Sequence, residues 1–242
     1  MRGGINRDRL GEMMRFFNIT GPCNPEDHYM LPPLKRVKEG QCIKLIEKKS
    51  YFVMHAPRQS GKTTFFMTLA KQLTGEGKYI SAMLSLESGA PWKTTDNMGD
   101  MHATVLHRWM KACETQLPEE YQPNSWKEKQ PYDIGTALSE WAQLAPKPLV
   151  LFLDEIDALE GAGLIAVLRQ LRSGFPDRPK GFPQSIALIG MRDVKDYLME
   201  AGSHLRSASP FNIKEESFTL ANFTEEEVKT LYGQHAEATG QV

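Results

Sequence analysis

The sequence predicts an α/β fold with three layers, in which a central parallel sheet of five strands lies between helices. Two observations predict it. Short β-prone apolar runs alternate with segments whose apolar residues recur at helical spacing. The 242 residues also suffice for one such domain with a substantial core. The predicted strands cover about 51–55, 79–86, 149–153, 185–189 and 216–220, and the predicted helices cover about 35–48, 62–74, 97–116, 133–144, 158–172, 194–201 and the residues after Thr224.

Residue patterns support these elements in order. The run 149–153 is continuously apolar, which is typical of a central strand covered on both faces. Prolines at 118, 123 and 131 predict an irregular loop. Thr224 to Glu227 form a capping box that starts the last helix. In the helix 97–116 an apolar stripe, interpreted as packing against the sheet, is formed by Met98, Met101, Val105, Trp109 and Cys113.

Residues 56–63 form a phosphate-binding loop between the first strand and its helix. They match the template G-x-x-x-x-G-K-[ST], with Ala56 in place of the first glycine. Backbone N–H groups of such a loop bind phosphate, Lys62 reaches the β- and γ-phosphates, and Thr63 ligates Mg²⁺. A chance match is disfavoured by the strand before the loop and the helix after it. The predicted nucleotide-binding residues are Ala56, Pro57, Arg58, Gln59, Ser60, Gly61, Lys62, Thr63 and Thr64.

Two carboxylates, Asp154 and Glu155, directly follow the apolar run 149–153. Charges are costly inside a buried strand, so both should emerge at its carboxyl end, where α/β sheets bind ligands. We predict that Asp154 holds Mg²⁺, directly or through water. Glu155 is the candidate base that orients and polarises an attacking water, although it could instead cap the next helix or lie in solvent. Asp157 is predicted to cap the helix 158–172.

The spacing of the phosphate loop and the acidic strand narrows the class of ATPase to which the sequence is similar. One strand and two helices lie between the phosphate loop and the acidic strand, which suits ATPases with another strand inserted between those two in the sheet. Residues 56–63, 153–157 (Leu-Asp-Glu-Ile-Asp) and 189–193 (Ile-Gly-Met-Arg-Asp) together resemble the AAA+/STAND ATPases. More narrowly, they resemble bacterial AAA-like ATP-binding proteins related to the origin-recognition and archaeal ATPase branch. The resemblance covers about 17–235.

The resemblance implies further roles. ATP is the implied nucleotide and Mg²⁺ its cofactor. Arg192 is the implied sensor of the γ-phosphate, unless it is a loop arginine paired with Asp193. Arg206 is the implied arginine finger supplied to a neighbouring subunit, unless it is a surface arginine. Tyr29 beside a Pro-Pro step could pack against adenine or cover the sheet edge. The predicted catalytic residues are Lys62, Glu155, Arg192 and Arg206.

Three regions are predicted along the chain. Residues 1–34 form an N-terminal approach segment, residues 35–222 form the AAA+-like core, and residues 223–242 begin a helical lid. Because members of the resembled family continue into a longer lid, we expect that the lid is largely missing and that the chain is truncated.

The composition and charge of the chain argue against several classes of protein and partner. With 29 basic and 30 acidic residues, the net charge of −1 does not favour DNA as a partner of this domain. No stretch approaches the roughly 18 apolar residues of a membrane-spanning helix, and the N-terminus has no secretory h-region. The three widely spaced cysteines fit neither a disulfide framework nor a zinc site, so we expect a reducing, cytoplasmic location.

The sequence therefore predicts a Mg²⁺-dependent ATPase that acts as a nucleotide-driven switch, binding ATP and ADP. A nucleotide-gated scaffold with little hydrolysis and a DNA-associated ATPase of the origin-binding type stay open, and a P-loop kinase is a weaker option. Homo-oligomers and an unidentified client protein are compatible with each reading. ATP is favoured over GTP by the resemblance alone.

Overall fold

In the computed structural model, five parallel strands form one sheet in the order β2-β3-β4-β1-β5. The structure describes residues 15–38, 40–90, 97–200 and 213–241. A strand is inserted between β1 and β3, as predicted, and it is β4, whereas β2, which lies between the two motifs in sequence, is at the edge of the sheet. The strands are β1 Tyr51–His55, β2 Ile80–Ser85, β3 Leu149–Asp154, β4 Ser185–Gly190 and β5 Lys214–Thr219, and the helices are α1 Gln41–Glu47, α2 Lys62–Gly75, α3 Met98–Gln116, α4 Ser125–Glu128, α5 Ile134–Leu144, α6 Gly161–Gly174, α7 Val194–Glu200 and α8 Glu225–Thr239.

Alternate residues of the strands enter two separate cores, one on each face of the sheet. Tyr51 and Val53 pack with α3, α5 and α6, whereas Phe52 and Met54 pack with α1 and α2. The strand β3 is buried along its whole length, because helices cover both of its faces. This arrangement confirms the three-layer prediction and brings the carboxyl ends of β1, β2 and β3 to one edge of the sheet.

Side chains complete the hydrogen bonding of the outer strand β2. Thr74 Oγ1 accepts from Ser81 N (2.9 Å) and donates to Ser81 O (3.1 Å). The Gln116 amide exchanges two hydrogen bonds with the Met83 backbone, at 2.9 and 2.8 Å. Trp109 Nε1 donates to Ser85 O at 2.8 Å. Edge strands otherwise expose unpaired backbone groups. These side-chain contacts pair backbone groups on the outer edge of β2 and hold its last residue in place.

Two predictions about local structure are wrong. Residues 35–48 do not form one helix: a 3₁₀ turn covers Pro33–Arg36, and α1 begins only after Gly40, whose φ of 72° interrupts any helix. Asp157 does not cap the following helix, since it lies within a 3₁₀ turn and α6 starts at Gly161. Its Oδ1 instead accepts from Met191 N at 3.3 Å, which ties the end of β3 to the end of β4.

The remaining boundaries agree with the predictions to within a few residues, and the capping box at Thr224 is formed. The loop 118–131 contains the short helix α4, which the sequence pattern does not predict. None of the helices in the described ranges is long and apolar enough to cross a membrane. Arg206 and the first 14 residues lie outside the described residues.

Candidate functional site

The phosphate loop joins β1 to α2 and turns through two residues with left-handed backbone. Gly61 has a φ of 89°, and Gln59, which is not a glycine, has a φ of 60°. Ala56 is buried at the end of β1, and its N–H donates to Gly190 O at 3.2 Å. The methyl group of Ala56 is therefore accommodated at the first template position, which supports the assignment of the loop despite the missing glycine.

Lys62 sits at the first position of α2 and points into the loop. Its Nζ donates to the carbonyl oxygens of Ala56 at 2.7 Å and Pro57 at 2.8 Å. Burial lowers the pKa of Lys62, while the charges of Asp154 and Asp157 oppose that change. The ammonium group is thus bound to carbonyl groups of the loop. An anion bound at the loop would contact this ammonium group and the backbone N–H groups.

Asp154 and Thr63 meet across the gap between β3 and α2. Thr63 Oγ1 donates to Asp154 Oδ2 at 2.9 Å, and Glu155 N donates to Asp154 Oδ1 at 2.9 Å. Asp154 is buried, and burial raises the pKa of its carboxyl although both hydrogen bonds oppose the rise. The two residues that the sequence assigns to the metal are therefore adjacent, which spacing alone could not establish.

Glu155 follows with a backbone conformation that only the fold reveals. Its φ and ψ of 59° and 41° are left-handed, which is uncommon and costs about 1–2 kcal/mol for a residue with a Cβ. Ser85 Oγ, at the end of β2, donates to Glu155 Oε2 at 2.5 Å. Burial raises the pKa of Glu155, and the bond from Ser85 lowers it in part. Strained backbone and a fixed carboxylate are common features of functional sites.

Ser85 is a site residue that sequence reasoning missed. It pairs in register with Asp154 across β2 and β3, and its Oγ also accepts from Glu87 N at 3.0 Å. The available signal was a small polar residue at the end of the strand beside the acidic strand. That signal becomes readable only once β2 is known to be the neighbour of β3.

Two cavities meet at the loop. The larger one, of about 730 Å³, is lined by loop residues 59–64, by Asp154 and Glu155, and by residues 18–23 of the N-terminal segment. The smaller one, of about 160 Å³, shares part of that wall. Its other lining residues come from the N-terminal segment, the 3₁₀ turn, the approach to α8 and α8 itself, and they are Phe17, Tyr29, Met30, Leu31, Pro33, Arg36, Phe223 and Leu231.

The N-terminal segment is fastened to the loop by two hydrogen bonds. Cys23 N donates to Thr64 Oγ1 at 3.0 Å, and Gln59 Nε2 donates to Ile19 O at 3.2 Å. Tyr29 is buried in the same segment and borders the smaller cavity. The segment therefore forms part of the wall of both cavities, and the contact of Tyr29 with a base stays a prediction.

The structure does not bring every predicted residue to this site. Arg192 is exposed, its guanidinium carbon lies 4.7 Å from the ring centroid of Tyr197, and it does not line either cavity. Asp193 has a cationic partner in Lys214, whose Nζ lies 2.6 Å from Asp193 Oδ1, and the alternative pairing of Arg192 with Asp193 stays a prediction. Burial raises the pKa of Asp193, but hydrogen bonds from Lys195 N and Lys214 outweigh it and bring the pKa to about 2.

Comparisons with known proteins give matches in structure alone. No family model matches the sequence, and no curated protein does. A Walker-type ATPase of Pyrococcus abyssi superposes with a TM-score of 0.55 at 10% identity, over 93% of this chain and 63% of that one. The ORC2 protein of Aeropyrum pernix superposes with a TM-score of 0.51 at 18% identity, over 86% of this chain and 54% of that one.

These matches define the class by fold. The chain has the α/β fold of P-loop ATPases, with an all-parallel five-stranded sheet and a phosphate loop in the expected place. Within that class, the fold is similar to that of the ORC2 protein of Aeropyrum pernix. The chain spans less than two thirds of either neighbour, 63% and 54% of their lengths.

Proposed function

We propose that this chain binds ATP with Mg²⁺ at the phosphate loop and hydrolyses it to ADP and inorganic phosphate. The observation that carries the proposal is the direct contact of Thr63 with Asp154, 2.9 Å apart, beside the Lys62 ammonium and a cavity large enough for a nucleotide. ATP-type ligands are also consistent with the structural neighbour from Aeropyrum pernix, which was solved as ADPNP and ADP complexes.

The donor atoms of Thr63 and Asp154 fit Mg²⁺. Both offer oxygen, the ligand type that this cation prefers, and Mg²⁺ in such sites takes few protein ligands because phosphates and water supply the others. Bound Mg²⁺ would neutralise charge on the phosphate oxygens.

In this proposal, different groups of the protein bind the phosphates, activate the attacking water and bind the base. Lys62 and the N–H groups of the loop bind the phosphates, and charge that develops on the transferred phosphoryl group is stabilised by the same donors. Glu155 borders the larger cavity and accepts a hydrogen bond from the attacking water. As the water oxygen bonds to phosphorus, its proton passes to the Glu155 carboxylate, the bond from phosphorus to the bridging oxygen breaks, and ADP leaves. Tyr29 and the smaller cavity receive the base.

A second candidate is a nucleotide-gated scaffold, in which ATP is hydrolysed slowly and its binding acts as the switch. The observation in its favour is the hydrogen bond from Ser85, which occupies one oxygen of Glu155. The net charge of −1 does not support DNA contacts, so DNA association is not part of the proposal. The roles of Arg192 as sensor and of Arg206 as a finger between subunits stay predictions.

Loss of the Lys62 ammonium tests the proposal most directly. K62A should abolish measurable binding of Mg²⁺-ATP in calorimetry, because the group that faces the phosphates is gone while no core cavity is created. K71A is the matched control, since Lys71 is an exposed lysine on the same helix. Circular dichroism should show both variants folded. Unchanged affinity in K62A would reject the phosphate-loop assignment.

A further inference from the structure

Arg36 is a half-buried arginine that contacts the phosphate loop and the approach to α8 at once. Its Nη1 donates to Ser60 O at 3.0 Å, and its Nη2 donates to Ala221 O. Its guanidinium carbon also lies 3.9 Å from the ring centroid of Phe223. A rigid, forked guanidinium donates from two separate nitrogens in fixed directions, so it can hold two carbonyl groups at a fixed spacing, whereas a lysine ammonium donates from a single nitrogen. One side chain therefore joins two segments that are far apart in sequence.

On the loop side, Arg36 sets the orientation of a peptide group. The peptide bond between Ser60 and Gly61 is planar and trans, so its C=O and N–H point in opposite directions. Because Arg36 holds the C=O of Ser60, the N–H of Gly61 points away from Arg36. The space is tight as well, since a Cβ on Gly61 would lie 3.3 Å from Arg36 Nη1.

On the other side, Arg36 touches the residues that precede α8. Ala221 and Phe223 belong to the link between β5 and α8, and the charge of Glu227 in the first turn of α8 acts on Arg36. Arg36 also forms part of the wall of the smaller cavity. A shift of α8 must therefore move the groups that hold Arg36, and with them its hold on Ser60.

We infer that Arg36 is a positioning residue that couples phosphate binding at the loop to the position of α8. This inference rests on the proposed function, because it assumes that the loop binds phosphate. When phosphate engages the Gly61 N–H, the Ser60 peptide is fixed, Arg36 is fixed with it, and the start of α8 becomes better ordered. In the other direction, a docked α8 keeps the loop ready for phosphate.

The test uses inorganic tripolyphosphate with Mg²⁺, which has no base and cannot reach α8 through the smaller cavity. Hydrogen exchange of the peptide covering 221–239 is measured with and without saturating tripolyphosphate. In the wild type, tripolyphosphate should slow exchange at the start of α8. In R36K, which keeps the charge but loses the fork, saturating tripolyphosphate should leave that exchange unchanged. F223L, at a half-exposed position that is safe for folding, should lose part of the effect.

Affinity gives a second measure. R36K should bind tripolyphosphate about tenfold more weakly, the scale of one hydrogen bond to a charged group. K35A is the control, because Lys35 is an exposed cation in the same 3₁₀ turn, and it should bind as the wild type does. Equal weakening in K35A, or wild-type affinity in R36K, would show that only the charge near the loop matters and would overturn the inference.

Failure of the proposed function and failure of the coupling through Arg36 give different results. If K62A binds tripolyphosphate as the wild type does, the loop is not the phosphate site and both proposals fall. If K62A loses binding but α8 is protected equally in wild type and R36K, the proposed function stands and the coupling through Arg36 is wrong.

Discussion

The phosphate side of the candidate site and its α8 side are held by different kinds of contact. On the phosphate side, α2 has five buried residues, and Asp154 ends a strand that is buried throughout. On the other side, none of the residues of α8 is buried. Among the described residues, the helix is contacted by aromatic rings and by a hydrogen bond from Gln234 Nε2 to Met30 O at 3.0 Å.

The rings that hold α8 come from the N-terminal segment. Phe17 lies 5.2 Å from Tyr232 and 5.4 Å from His235, and Tyr29 lies 5.3 Å from His235, measured between ring centroids. Each such pair contributes about 0.5–1.5 kcal/mol beyond burial. Because the sheet anchors one side and a few surface contacts hold the other, we expect the phosphate side to be preformed and α8 to open locally.

The largest expected effect tests the chemistry of the preformed side. E155Q should lower ATP turnover by about two to four orders of magnitude, since the amide keeps the shape of the side chain but accepts no proton. Affinity for Mg²⁺-ATP should be retained. E87Q removes a neighbouring carboxylate that acts on Glu155 and should change turnover far less. Steady-state turnover and calorimetry separate the two, and wild-type turnover in E155Q would remove Glu155 from the mechanism.

Loss of the Ser85 hydroxyl group tests how the pKa of Glu155 is set on the phosphate side. The hydrogen bond from Ser85 lowers the pKa of Glu155, so S85A, which removes that bond, should raise the pKa of Glu155. A base works when ionised, so the acidic limb of the turnover profile should move to higher pH. S81A is the control, because the buried Ser81 Oγ has no partner in the described structure. Higher turnover at every pH would instead favour the slowly hydrolysing scaffold.

The smallest expected effect falls on the α8 side. F17A removes the ring that contacts both Tyr232 and His235, so hydrogen exchange of α8 should accelerate about tenfold, equivalent to one or two lost aromatic pairs. Exchange of α5, which is packed in the core, should not change. F16A is the matched control, since Phe16 is half exposed and contacts His28 rather than α8. Equal acceleration in α5 would mean that α8 and the core unfold together.

The sequence by itself determined the local parts of this protein. The alternation of apolar runs and helical stripes predicted the order of strands and helices, and 56–63 with the carboxylates after 149–153 predicted the phosphate side. These features are carried by residues close together in the chain, so periodicity and motif spacing suffice to reveal them. The first strand, 51–55, agrees with the structure to the residue.

Only the tertiary structure decided which distant residues meet. The contact of Thr63 with Asp154, the hold of Ser85 on Glu155 and the bridge from Ser60 through Arg36 to Ala221 each join separate segments. Such pairs depend on strand order, and a sequence pattern does not state which strands become neighbours. Backbone strain is equally invisible: the left-handed Gln59 and Glu155 are not glycines, and their conformations follow from the surrounding fold, not from local preference.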